Sequence, residues 1–336
     1  MRLKTLGVLS GISAAAIAAA VVLVLFDTVG ASSSNDDILW PELAERINTV
    51  NRVIINGPGG VATVERDTDG MWRLAEKSGY PVKPDMVKRA AVGLANLRRV
   101  EPMTSNPVMY RRLNVEDRGL DTGSTQITLS GTSGDVSVLL GSYVVEADAA
   151  RYGQAEMYVR RVGEAQSWHA RGTFTIPETP MDWLDLKVVD LPRSEIKSVV
   201  ITHPDGSVVR VGLPHEGADD FIIENIPTGF EPKTEFVANS VGSSLGWVTV
   251  EDVVPLDDPP VDATTSNYTT WDGRTVIIHT FQRNDRWWFT AEKPGADDEA
   301  LVKNWAYGIS SYKAKDFAKT MADLTKAIDG ESSDGG

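Results

Sequence analysis

The chain has 336 residues, 47 acidic against 33 basic, a net charge of −14 and no cysteine. This balance opposes binding to nucleic acid and to anionic head groups. The missing cysteines exclude disulfides, a thiolate nucleophile, cysteine metal ligands and an N-terminal lipid-modified cysteine. With 42% apolar residues, a chain of this length folds on core burial alone.

Residues 1–5 read as a cytoplasmic n-region carrying Arg2 and Lys4. Leu6 to Phe26 follow as 21 residues without a charge. At ~1.5 Å per residue such a helix spans a hydrocarbon core of roughly 30 Å, so 6–26 is predicted as a transmembrane helix. The cations ahead of it place the rest of the chain outside the inner (cytoplasmic) membrane, as a single-pass protein with periplasmic or extracytoplasmic domains. Two readings of the segment stay open. Its length favours a retained anchor, whereas the alanine-rich run Ala14–Ala20 and the small residues Val29-Gly30-Ala31 suit a signal cleaved after Ala31. Removing Arg2, Lys4 and Asp27 from the total of −14 leaves −15 on the exported part.

Residues 27–37 form a polar tether, and folded sequence begins near Ile38. Val53–Ile55, an Asn56–Gly60 turn, Val61–Arg66, an Asp67–Gly70 turn and Met71–Leu74 read as successive strands. Asp85 is a plausible N-cap for a helix to Leu97, with Val87, Ala90, Ala91, Leu94 and Leu97 on one face. Gln126–Leu129 and Val136–Leu140 form a hairpin, and Met157–Val162 and Trp168–Ile176 are two further strands. Residues 177–192 connect to a second half.

There the arrangement recurs. Lys197–Arg210 is again strand, turn, strand, and a second helix at Glu235–Val248 matches Asp85–Leu97 at a constant offset of 150 residues. A hairpin at Tyr268–Phe281, a strand at Arg286–Ala291, an alternation of large and small residues over Trp305–Ser311, and an amphipathic stretch at Lys313–Ile328 complete the chain before a disordered tail, 330–336. The predicted fold class is therefore α+β: one N-terminal transmembrane helix, then two tandem similar units at 38–192 and 193–329. Each unit is an antiparallel sheet with a packed helix.

Several local motifs follow one another in a fixed order. They are Met71-Trp72-Arg73-Leu74, Leu97-Arg98-Arg99-Val100, Arg118-Gly119-Leu120-Asp121, Leu139-Leu140-Gly141, Met157-Tyr158-Val159-Arg160 and Trp183-Leu184-Asp185. From about residue 50 to 325, this order resembles the bacterial domain-of-unknown-function family 4340. The resemblance implies a membrane-anchored envelope protein, of a kind often encoded beside an ATP-binding-cassette (ABC) transporter related to gliding-motility components. It supplies no catalytic residues. The second half departs from the pattern, because its helix lacks the basic residues and its Gly-Leu-Asp equivalent is missing.

Candidate chemistry is sparse. His169, His203, His215 and His279 show neither His-x-His nor i, i+4 helical spacing. Asp67-x-Asp69-Gly70 has Ser78 where a calcium loop needs its bidentate glutamate, and turn chemistry accounts for it. Gly57–Gly60 lacks the Gly-Lys-Ser/Thr of a phosphate loop. Ser194/Lys197 and Ser310/Lys313 have acyl-serine spacing without partner motifs. The pairs Asp219-Asp220, Asp257-Asp258 and Asp297-Asp298 read as solvated loops. No cofactor or metal is called for. The candidate partner-binding residues are Lys88, Arg89, Arg98, Arg99, Arg111 and Arg112, a basic set on one half of an acidic chain; the plainer reading, that they solvate an amphipathic helix and pair with nearby acids, has the greater weight.

The function expected is a non-catalytic accessory or interaction subunit of a membrane complex, by resemblance an ABC-type transporter, with a membrane-protein partner and no nucleic acid. The alternative is a module binding glycan or peptidoglycan through Trp271 and Arg286-Trp287-Trp288-Phe289. An exported hydrolase using Ser310 and Lys313 ranks last.

Overall fold

The computed structural model describes residues 38–117, 122–144, 155–172, 177, 179–293 and 302–328. The predicted transmembrane helix 6–26, the predicted n-region and tether, the predicted tail, Arg118–Asp121 and Asp297-Asp298 all lie outside these residues. Among the described residues no helix is long and apolar enough to cross a membrane.

The chain forms two compact units that do not follow the 38–192 and 193–329 boundaries. The first takes residues up to Asn51 together with Val87–Ile176; the second takes Arg52–Met86 together with residues from Pro177 onward.

In the first unit, α1 (Pro41–Arg46) buries Leu43. The following α2 (Pro84–Ala95) enters this unit at Val87 and buries Val87, Ala90, Ala91 and Leu94 on one face, as its period dictates. It leads into β5 (Arg98–Pro102). Next, α3 (Pro107–Leu113) is capped by the Asn106 side chain, which accepts from Val108 N–H at 3.1 Å, and ends at Asn114 with φ 54°. Strands β6 (Thr125–Gly131), β7 (Val136–Tyr143), β8 (Ala155–Arg161) and β9 (Ser167–Gly172) run antiparallel in the order β6-β7-β8-β9-β5. Alternate residues Ile127, Leu129, Val138, Leu140, Met157 and Val159 form the core. A Cβ on Gly141 of β7 would collide with the Leu113 carbonyl, so only glycine lets these backbones approach.

In the second unit, β1 (Val50–Gly57, entering at Arg52), β2 (Gly60–Arg66), β3 (Trp72–Leu74) and β4 (Tyr80–Pro81) form an antiparallel meander. Eight further strands make one sheet: β10 (Ile196–Thr202), β11 (Val208–Gly212), β12 (Ile222–Ile223), β14 (Asp252–Pro255), β15 (Thr264–Thr270), β16 (Thr275–Arg283), β17 (Arg286–Glu292) and β18 (Trp305–Ile309). Their order is β12-β11-β10-β15-β16-β17-β18-β14. Its last five strands repeat the pattern of the first unit: a four-strand meander whose outer edge is capped by the strand that precedes it in sequence. The short strands β13 (Phe230–Pro232) and β19 (Thr325–Ala327) pair separately. Tyr268, Phe289, Tyr307 and Phe317 fill the core.

The α+β expectation is corrected: the fold is mostly β. The longest α-helix among the described residues is the 12-residue α2. The predicted second helix at 235–248 shrinks to α4 (Asn239–Gly242), a single turn. Its serines explain this, because they bond to their own backbone. Ser240 Oγ donates to Val237 O at 2.9 Å, Ser243 Oγ to Asn239 O at 2.6 Å and Ser244 Oγ to Val241 O at 2.6 Å. The stretch 313–328 likewise breaks into α5 (Ser311–Phe317) and α6 (Met321–Leu324), because Thr320 and Asp323 form a new capping box, and it ends as β19.

Candidate functional site

In the first unit the six sequence-predicted cations lie on three consecutive elements. Lys88 and Arg89 occupy the exposed face of α2, opposite its buried apolar residues. Arg98 and Arg99 lie on β5, which is an edge strand. Arg111 and Arg112 sit in the last turn of α3, where helix carbonyls favour positive charge. The Arg99 guanidinium stacks 4.9 Å from the Trp168 ring centre. Lys88, Arg98, Arg111 and Arg112 form no ion pair among the described residues.

The same sheet carries a buried charged stripe that sequence reasoning missed. Glu156, Tyr158 and Arg160 share one face of β8, and they pair in register with Arg171, His169 and Ser167 of β9. The Glu156 carboxylate accepts from His169 Nε2 at 2.8 Å and from Arg171. Burial pushes the Glu156 pKa up, but the Arg171 and His169 contacts outweigh it and hold the group below the usual carboxylate range. Arg160, 3% exposed, donates to Val115 O and Glu164 O, pairs with Asp117 at 2.6 Å and stacks on Tyr110. The signal available in the sequence was the alternation itself: Glu156, Tyr158 and Arg160 interleave with apolar Met157 and Val159.

In the second unit, candidate catalytic groups are engaged elsewhere. Ser310 caps α5, and Lys313 Nζ turns away from it to donate to Ser244 O at 3.0 Å and Gly246 O at 3.2 Å. Burial pushes the Lys313 pKa down. Lys197 faces the Trp271 ring at 5.6 Å. His203 reaches Lys319 O at 3.2 Å, His279 reaches Thr265 Oγ1 at 3.0 Å, and His215 reaches Glu216 O at 3.2 Å. Asp67 accepts from Asp69 N, Met71 N and the Arg73 guanidinium, which together define a turn. Among the described residues no three His, Asp or Glu side chains are placed to hold a metal ion. Trp288 is 8% exposed and packs with Phe281 and Ala306, whereas Trp287 is half-buried.

Compared with known families, residues 72–268 match the family described as a domain of unknown function, DUF4340. The matched region runs from the Trp72 strand through the Trp183-Leu184-Asp185 connector to β15. No curated protein matches the chain.

Proposed function

The chain belongs to the DUF4340 family, and from that premise we propose that it is a non-catalytic accessory protein of the cell envelope. In this reading the apolar residues 6–26 hold it at the inner membrane with its folded body on the outer side. Its partner is a membrane protein, by family resemblance an ABC-type transporter, and the docking residues are Lys88, Arg89, Arg98, Arg99, Arg111 and Arg112. The supporting observation is that Lys88, Arg98, Arg111 and Arg112 lack an acidic partner among the described residues, although the chain carries a net −14. Solvent-facing cations of this kind steer association with an acidic surface. The test is crosslinking of the full chain in native membranes. A membrane protein should be captured by the wild type and lost from the Lys88→Glu/Arg111→Glu/Arg112→Glu variant; capture unaffected by charge reversal overturns the proposal.

A second reading, binding of an envelope polymer, has one observation in its favour. A cavity of about 480 Å³ beside the β16–β17 turn is lined by Phe281, Trp288, Arg283 and Arg286. Aromatic faces with hydrogen-bond donors at their rim suit sugar rings. Cosedimentation with peptidoglycan should be lost on Arg283→Ala; a chain that stays in the supernatant rules this reading out.

A further inference from the structure

The second unit contains another cavity, built from the two segments that carry its strongest local motifs. One wall comes from the β2–β3 turn through β4, with Met71, Trp72, Tyr80 and Val82. The other comes from the connector after Trp183, with Val188, and Val302 closes it. Its volume is about 460 Å³, in the range of roughly 300–1,000 Å³ occupied by small ligands. Its walls are fixed before any ligand arrives. Val82 N–H donates to Trp72 O at 2.8 Å, Lys83 N–H to Trp183 O at 3.1 Å, and Tyr80 Oη–H to Asp185 O at 3.0 Å. The Tyr80 ring meets Trp305 edge-on at 4.9 Å. Such preorganisation lowers the ordering cost of binding.

The rim carries Arg66, Asp185 and Lys187. Lys187 is neutralised by Asp190 at 2.8 Å. Arg66 uses Nε on the Gly70 carbonyl at 3.2 Å and has no ion pair among the described residues, so its outer guanidinium nitrogens are free to donate. The Asp185 carboxylate on the same rim disfavours a multiply charged anion. We infer that this cavity binds an amphiphile with one singly charged acidic head: an alkyl or ring body between Trp72, Tyr80 and Val188, and a carboxylate or phosphate diester paired with Arg66. The chain's overall negative charge does not forbid this, since distant charges are screened beyond about 8 Å at physiological salt. The inference stands apart from the partner-docking reading, which concerns the first unit.

Calorimetric titration of the full chain with dodecanoate, dodecyl methyl phosphate, dodecanol and dodecyltrimethylammonium, each below its micellar concentration, tests it. Saturable one-site binding is expected for both anions, about tenfold weaker binding for dodecanol, and the weakest for the ammonium, because one charge-assisted contact separates them. Arg66→Gln should erase the preference of anion over alcohol with the melting temperature unchanged, and Met71→Trp, which fills the cavity, should weaken all four probes. Non-saturable uptake, equal affinity for anion and ammonium, or a preference that survives Arg66→Gln overturns the inference. Flotation with phosphatidylglycerol vesicles separates the two sources of such a head. Flotation that Arg66→Gln weakens, together with dodecanoate binding, assigns a membrane lipid; dodecanoate binding with flotation that Arg66→Gln leaves unchanged assigns a free acid.

Discussion

The stretch from α2 into β5 and the stretch 234–255 into β14 occupy the same place in the strand order of their units, yet they are built from opposite materials. The first is rich in alanine, leucine and basic residues. It makes a 12-residue helix with a buried apolar face and leads to an edge strand bearing half-buried Arg98 and exposed Arg99. The second places Asn239, Ser240, Gly242, Ser243 and Ser244 at the equivalent positions and keeps a single helical turn. Its edge strand opens with Asp252, clamped by Lys77 at 2.6 Å and Arg286 at 2.8 Å. Side-chain competition for backbone groups decided which copy stayed helical. Where the charges went decided which copy presents a free surface.

Substitutions sharpen this contrast. The largest effect is expected from Leu94→Ala, which empties a site 1% exposed on the packed face of α2 and should cost about 3 kcal/mol in urea unfolding. A loss below ~1 kcal/mol would mean that α2 contributes little to its unit. Next comes Gly242→Ala, whose Cβ meets the Phe221 ring; a loss of about 2 kcal/mol is expected, seen as a lower urea midpoint.

Asp252→Asn is third. Burial raises the Asp252 pKa, but the Lys77 hydrogen bond, the Val253 N–H and the charges of Lys77 and Arg286 together hold it below the usual range. A carboxyl depressed in the folded state stabilises above its unfolded value, near ~3.9, and that contribution is lost as pH falls through the folded value. The substitution should therefore cost about 1 kcal/mol at neutral pH and nothing once the carboxyl is protonated. Equal losses at pH 7 and well below the carboxylate range would assign the effect to packing. The smallest change is Ser243→Ala, which removes an exposed side-chain bond to Asn239 O and should raise stability by about 0.3 kcal/mol with a small gain in helical circular dichroism.

Legibility in the sequence followed distance along the chain. Asp205-Gly206 and Asp272-Gly273 announce their hairpins because Asp-Gly turns are decided by local backbone preference, and both glycines adopt positive φ. Val237, Val241 and Leu245 have helical spacing, and that pattern misleads here because the intervening serines and asparagine act on the backbone, which hydrophobic periodicity does not register. The Lys77–Asp252 pair joins residues 175 apart, and no local rule reveals it. The second cavity was equally hidden, although both segments that wall it had been singled out as motifs. The predicted cations were all found on exposed or half-exposed positions of one unit, while the Glu156 stripe beside them went unnoticed because buried acids are rare.

The return of residues 52–86 to the second unit sets a timetable for synthesis. Lys77 and Tyr80 leave the ribosome long before Asp252 and Trp305, which they contact. Until those arrive, Lys77 has no carboxylate to pair with and the Tyr80 ring lacks its edge-on neighbour, a state that invites chaperone capture or self-association. A pause or truncation anywhere before residue 305 leaves the Tyr80 ring without its Trp305 neighbour, so the nascent chain remains vulnerable almost to its last strand.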